Sequence, residues 1–208
     1  MQLSVLLSEK LKKSEFDIDS NGELPSFCRK QIHELIENLS LKEHQDAGYY
    51  RRAKLAIGCA YSCLKYLEVY PSAKSEAQNV IEKSILSLQN KFNMKELELI
   101  NSRLYTDSEN LFGQDEPNFK AIYSSFACVA AANTVLYDVD FAAMGITEKE
   151  SDPSDWDASF YASLAHSGGA IWEDVGDADN RKNFWLWYLD KAIPYTWDTS
   201  TTIGPIKF

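Results

Sequence analysis

Residues 121–137 of this 208-residue chain read AIYSSFACVAAANTVLY, a run without a single charged side chain. At the helical period the run is apolar on all sides, which is typical of a helix that is buried all round. It is slightly short for a membrane span, and it is too polar for one because it contains Ser124, Asn133 and Thr134. We therefore predict that residues 121–137 form a central buried helix.

Upstream of this run, apolar residues recur at helical spacing and strand-type alternation is almost absent. The predicted helices are a short one carrying Leu3 to Leu11, then 26–43, 47–70, 73–92, and one that opens at Asn93 and gives way to a loop over 106–116. The third of these has a small-residue middle, AKLAIGCAYSC, like the central run. We expect these two helices to approach closely.

Downstream, residues 152–197 hold all five tryptophans of the chain. One predicted helix opens at Asp152, with Pro153 in its first position, and closes at Gly168 and Gly169, a left-handed C-cap signal. A last helix begins between residues 177 and 180 and is expected to break at Pro194. Residues 198–208 are expected to form a loose tail.

These patterns predict an all-α fold, a single domain over 1–208 with about seven to eight helices around the Ala-rich central helix. Residues 1–116 supply N-terminal helices, 117–197 the main body and 198–208 the tail. Buried polar groups are normally paired inside a protein, so Asn133 is interpreted as a core amide that fixes helix register. The predicted structural core residues are Asn133, Trp156, Trp185, Trp187 and Trp197.

Charge is distributed unevenly along the chain. Residues 138–179 carry eleven acids and one base, which accounts for the whole net charge of −10, while the rest of the chain is balanced at 20 acids and 20 bases. Some of these acids fall at predicted helix N-termini, where negative charge is stabilising. The acids without such a predicted role are Glu148, Glu150, Asp157, Glu173 and Asp174. They form either a solvated face or a surface that steers a basic partner.

Other classes of function find little support in the sequence. A direct nucleic-acid partner is disfavoured, since a phosphate backbone calls for clusters of Lys and Arg. The four cysteines lie among apolar neighbours and are expected to be free buried thiols, and no metal-ligand spacing or cofactor motif is found. The N-terminal sequence lacks the features of a secretory signal, which predicts a cytoplasmic protein.

An enzymatic alternative would use Asp138, His166 or Asn133 in a polar pocket between helices. Ser167 follows His166 directly, but neighbours at a helix end rarely have the geometry of nucleophilic catalysis, so a C-cap is the plainer interpretation. Asp138 would end the central helix, where a negative charge needs compensation by Arg51, Arg52 or an outside cation. A further alternative is a helical adaptor that binds another protein.

The segments WDASFYASLAHSGGAIWE (156–173) and RKNFWLWYLDKAIPYTW (181–197) resemble immunity protein family 5 of bacterial polymorphic toxin systems. The likeness is clearest from residue 121 to residue 197. The residues that carry its C-terminal part are Phe184, Trp185, Trp187, Tyr188, Leu189, Ala192, Pro194 and Trp197.

The resemblance implies an all-α, cytoplasmic, non-enzymatic protein that neutralises a toxin encoded beside it, and it implies no catalytic residue, cofactor or metal. Together with the charge distribution, it leads us to expect a cognate toxin domain with a basic, nuclease-like surface as the partner. The acids expected to contact it are Glu148, Glu150, Asp157, Glu173 and Asp174.

Overall fold

The structure, a computed structural model, describes residues 3–113, 116–138, 157–173 and 175–208. Within these ranges the chain is helical and contains no strand, which confirms the predicted all-α fold. The α-helices are α1 Val5–Glu15, α2 Ser26–Ser40, α3 Ala47–Cys63, α4 Pro71–Leu88, α5 Met94–Phe112, α6 Phe119–Tyr137, α7 Ala158–Ser167, α8 Ala178–Trp187 and α9 Ile193–Trp197. A 3₁₀ helix, Leu64–Val69, follows α3, and a short one, Ile171–Glu173, follows α7.

The central helix is α6, which packs against α3, α4, α5 and α7. By length and hydropathy α6 could cross a membrane, but 67% of its most apolar window is buried inside the protein, as in an ordinary core helix. The small-residue middles of α3 and α6 lie side by side as predicted. The Tyr49 hydroxyl donates to the Val135 carbonyl at 2.6 Å and the Ser124 hydroxyl to the Cys63 carbonyl at 2.9 Å, so the two helices run antiparallel.

Helix α5 lies antiparallel to α6 and extends to Phe112, so the predicted loop over 106–116 is wrong for residues 106–112. The interpretation of Asn133 as a buried amide is also wrong. Asn133 is exposed and accepts a hydrogen bond at 2.8 Å from Asn101, which is the buried amide of the pair. Because α6 is apolar on every side, its sequence pattern does not reveal which face points outward.

Helix α7 has clear caps at both ends. The Asp157 carboxylate accepts the Phe160 N–H at 2.8 Å, and Gly168 ends the helix in the left-handed region with φ of 89°, as its sequence predicts. The predicted helix start at Asp152 and the predicted core residue Trp156 both lie outside the described ranges.

The last helical region does not break at Pro194. A π-helical turn, Tyr188–Ala192, joins α8 to α9, and its Ile193 N–H donates to the Tyr188 carbonyl five residues back. Such a turn widens the backbone just before the proline, which has no N–H to donate and would otherwise clash with the preceding turn. The helical path therefore continues to Trp197. Trp185, Trp187 and Trp197 are buried, as predicted.

The C-terminal segment 198–208 is docked on the body, so the prediction of a loose tail is wrong. Lys54, a buried residue of α3, donates to the carbonyls of Asp198 at 2.8 Å and Thr201 at 2.9 Å. The Phe208 ring stacks on His166 with centroids 4.4 Å apart, and the Trp187 indole donates to the Lys207 carbonyl at 3.0 Å.

The predicted burial of the cysteines is confirmed, since Cys28, Cys59, Cys63 and Cys128 are all buried and free.

Candidate functional site

Of the five acids predicted to contact a partner, the structure describes two, Asp157 and Glu173. Glu148, Glu150 and Asp174 lie in the parts of the chain that are not described. Both of the described acids form internal hydrogen bonds, so the premise that they have no local structural role is wrong.

Asp157 connects α2 to the start of α7. Its carboxylate accepts hydrogen bonds from Arg29 at 3.0 Å and from the Ser159 hydroxyl at 2.7 Å, besides capping α7. His33 lies 4.0 Å from its second oxygen and shares a 3.0 Å hydrogen bond with the Tyr188 hydroxyl. Burial alone would raise the pKa of Asp157, but Arg29 and the other donors lower it below its ordinary value. The carboxylate is therefore held in its charged form.

A second ion-pair group lies farther along the same face of α2. Arg52, a buried residue of α3, binds Glu37 of α2 and also donates from Nε to Asp138 at 2.5 Å. The sequence-based proposal of Arg52 as a partner for Asp138 is thus confirmed. Burial raises the pKa of Asp138 to about 6 even though Arg52 acts against this.

These residues form what we call the anchor cluster: Arg29, His33, Glu37, Arg52, Asp138 and Asp157. Its two aspartates immediately flank residues 139–156, the segment that joins α6 to α7 and carries five acids in its sequence. Of the two described ends of this acidic connection, Asp138 is held to α3 by Arg52 and Asp157 is held to α2 by Arg29, and both arginines are buried. The α2 part of the cluster could have been found from the sequence, because Arg29, His33 and Glu37 recur at intervals of four and must share one face of α2.

Glu173 closes the turn after α7. One carboxylate oxygen accepts the hydroxyl hydrogen of Tyr123 on α6, and the other accepts the Ala170 N–H at 2.7 Å. Burial and the hydrogen bond to Glu173 raise the pKa of Tyr123, which remains a neutral donor. Glu173 thus fixes the Gly168–Gly169 turn to the central helix.

The three side chains of the enzymatic alternative occupy separate places. Asp138 belongs to the anchor cluster, and Asn133 is exposed beside α5. His166 lies nine residues beyond Asp157 on α7, roughly 13 Å along the helix axis. There its ring nitrogens meet the hydroxyls of Ser62 at 3.1 Å and Tyr66 at 3.3 Å. Burial lowers the pKa of His166 to about 3, so the ring is neutral.

Ser167 has a structural role in the turn that follows α7. Its hydroxyl donates to the Gly169 carbonyl at 2.6 Å and accepts from Arg181 at 3.1 Å, which agrees with the C-cap interpretation.

As for metals, no group of three or more His, Cys, Asp or Glu side chains suited to an ion occurs within the described ranges. The side chains described around α2, α3 and α7 hold these helices and the turn after α7 together by ion pairs and hydrogen bonds.

Two comparisons with known proteins bear on this architecture. A search among curated proteins finds no match to the chain. The sequence model of a family described as immunity protein Imm5 matches residues 9–195. This match includes α2, α3 and the entire anchor cluster, so the family likeness extends over the N-terminal segment, where the sequence signature alone had been weak. The chain therefore belongs to the Imm5 immunity protein family.

Proposed function

We propose that this chain is a cytoplasmic immunity protein that binds a cognate toxin domain and blocks it without catalysis of its own. The observation that carries the proposal is the family match over residues 9–195, which covers most of the chain. The internal roles found for Asp138, His166 and Ser167 argue against the enzymatic alternative, because each of these side chains already holds the fold together.

The finer part of the proposal concerns charge. The toxin surface is expected to be basic, as in a nuclease, because residues 138–179 carry eleven acids against one base. In this proposal Glu148, Glu150 and Asp174 contact the toxin directly. In the same proposal Asp157 and Glu173 also contribute to this contact, while holding α7 and its turn in place.

Coexpression in bacteria tests the proposed function. The toxin encoded by the neighbouring gene should arrest growth when expressed alone, and coexpression of this chain should restore it. The purified proteins should also form a stable complex at micromolar concentration. A suitable control is a catalytically inactive toxin variant, which should be harmless alone and still bind. If growth is not restored and no complex forms, the proposal is wrong.

A further inference from the structure

One surface of the molecule is aromatic and partly exposed. It lies over α6 between α5 and α7, and we call it the aromatic surface, defined as Tyr105, Phe112, Phe119, Phe126 and Tyr161. Tyr105 and Phe112 are each 45% exposed, while the other three are partly buried. The surface was not predicted from sequence, because the residues around Phe112 were assigned to a loop.

The rings of this surface form a continuous series of contacts through the buried ring of Tyr123, whose centroid lies 6.1 Å from that of Phe119 and 6.3 Å from that of Tyr161. Phe112 meets Phe119 with centroids 6.0 Å apart, and Tyr105 meets Phe126 at 5.8 Å. Phe126 in turn stacks on Tyr161 at 5.4 Å with the ring planes 23° apart. Rings packed in this way are already ordered, so a partner that covers them need not immobilise flexible side chains. Exposed, ordered aromatic groups of this kind are typical of protein-binding sites.

Carboxylates border the same surface. The Tyr137 hydroxyl donates to Glu98 at 2.7 Å, and a hydrogen bond to Glu109 raises the pKa of Tyr105. Glu98 and Glu109 are exposed on α5. The surface therefore offers aromatic rings next to carboxylates that already accept tyrosine hydroxyls. This combination suits arginine and lysine side chains, which are attracted both to the ring faces and to the carboxylates.

From this geometry we infer that the aromatic surface is the docking face for a protein partner that presents arginine and lysine side chains. The inference rests on the proposed function, in which that partner is the toxin domain. It assigns the apolar part of the interface to Tyr105 and Phe112, and it adds the carboxylates of Glu98 and Glu109 to the acids of residues 138–179 that are proposed to contact the same partner. Aromatic residues of this kind often dominate the affinity of an interface.

The test measures binding of the inactive toxin domain encoded by the neighbouring gene to the full-length chain. The double variant Tyr105→Ala/Phe112→Ala should raise the Kd at least about tenfold, since both rings are lost from the centre of the contact. Glu98→Gln/Glu109→Gln should slow association at low salt and reduce its dependence on salt concentration. Thermal unfolding should show that all variants remain folded, because alanine and glutamine are good helix formers.

Leu99→Ala is the matched control. Leu99 is 61% exposed and lies on α5, about a third of a turn away from the stripe that carries Tyr105 and Phe112, so its removal should leave the Kd unchanged. Phe16→Ala provides a second control at an 88% exposed ring beyond the end of α1.

The possible outcomes are distinguishable. If the wild-type chain binds the toxin and the aromatic double variant binds equally well, the docking face lies elsewhere, while the proposed function stands. If the wild-type chain does not bind at all, the proposed function and the inference both fail. If the wild-type chain sediments as a dimer that Tyr105→Ala/Phe112→Ala dissociates, the occupant of the surface is a second copy of this chain and the inference is wrong.

Discussion

Arg52 links Glu37 on α2 to Asp138 at the end of α6. Its side chain is 2% exposed, and those of the two carboxylates are 13% and 16% exposed. Removing one partner from such a group leaves buried charge without compensation. The ion pairs of Arg52 therefore hold α2, α3 and the end of α6 in position.

We expect Arg52→Ala to lower the free energy of unfolding by about 3–5 kcal/mol, because Glu37 and Asp138 lose their shared partner. Urea unfolding measures this change. Lys74→Ala is the control, since the Lys74–Glu68 pair is largely solvated and should be worth less than about 1 kcal/mol. A loss for Arg52→Ala as small as that of the control would show that the cluster adds little to stability.

Glu23 supplies a prediction about pH. Burial raises its pKa to about 7, although Arg29 and Arg181 act in the opposite direction. The folded state thus binds a proton more tightly than the unfolded state does, so this group's contribution is complete below about pH 4.5 and is lost as pH rises through 7. The Glu23→Gln variant should gain stability relative to the wild type across that window, by up to about 3 kcal/mol.

The measurement is the difference between the unfolding free energies of the two proteins at a series of pH values. Burial lowers the pKa values of His33 and His166, so these residues add stability above pH 6.5 that is lost on acidification, the opposite trend. Because both proteins contain them, their effect cancels in the difference. A difference that stays flat between pH 4.5 and pH 7 would contradict the prediction.

Among the helices, those with strong local signals could be predicted from the sequence. Pro25 precedes α2, Asn93 caps α5 through the Lys95 N–H, and Gly168 ends α7. The continuation through Pro194 could not be predicted, since a π turn has no local signature and depends on the packing of the rings around Tyr188. The docking of residues 198–208 depends on a groove formed by distant helices, which short-range patterns do not reveal.

This docked segment supports a prediction about truncation. A chain ending at Ile203 keeps the acceptors of Lys54 but loses the Ile206 side chain at Gly58, the Phe208 ring on His166 and the Lys207 carbonyl. It should lose about 1–3 kcal/mol of stability, the usual effect of exposing one or two apolar side chains.

In the truncated chain, hydrogen exchange of the Trp187 indole N–H should also accelerate, and NMR can follow that resonance directly. Lys207→Ala is the control, because it keeps the backbone carbonyl and both neighbouring apolar contacts. Unchanged stability and exchange after truncation would mean that the segment does not protect the body of the protein.

For the whole molecule, the internal bonds of Asp157 and Glu173 decide which acids should be changed to test the proposed electrostatic contact with the toxin. Reversing Asp157 or Glu173 would disrupt the internal bonds of α7 and its turn, so those two positions should be left intact. The variant Glu148→Lys/Glu150→Lys/Asp174→Lys should instead slow toxin association by roughly tenfold at low salt. Its rate should converge with that of the wild type at high salt, where charges are screened.

Stopped-flow association rates at several salt concentrations check this prediction. The control is Glu9→Lys/Glu34→Lys/Glu68→Lys, which changes the net charge by the same amount at exposed positions outside residues 138–179. Equal slowing of both variants would attribute the effect to total charge, and no slowing of the first would move the electrostatic contact to another surface.

The four buried thiols offer a way to time the opening of the molecule. Burial raises the pKa of Cys63 to about 12, and it also raises the pKa values of Cys28, Cys59 and Cys128. The thiolate, not the thiol, is the form of cysteine that attacks an alkylating reagent, so the intact protein should resist alkylation. A molecule that opens completely should acquire all four alkyl groups together. The fraction of fully alkylated molecules, counted by mass spectrometry at successive times, would therefore give the rate of opening.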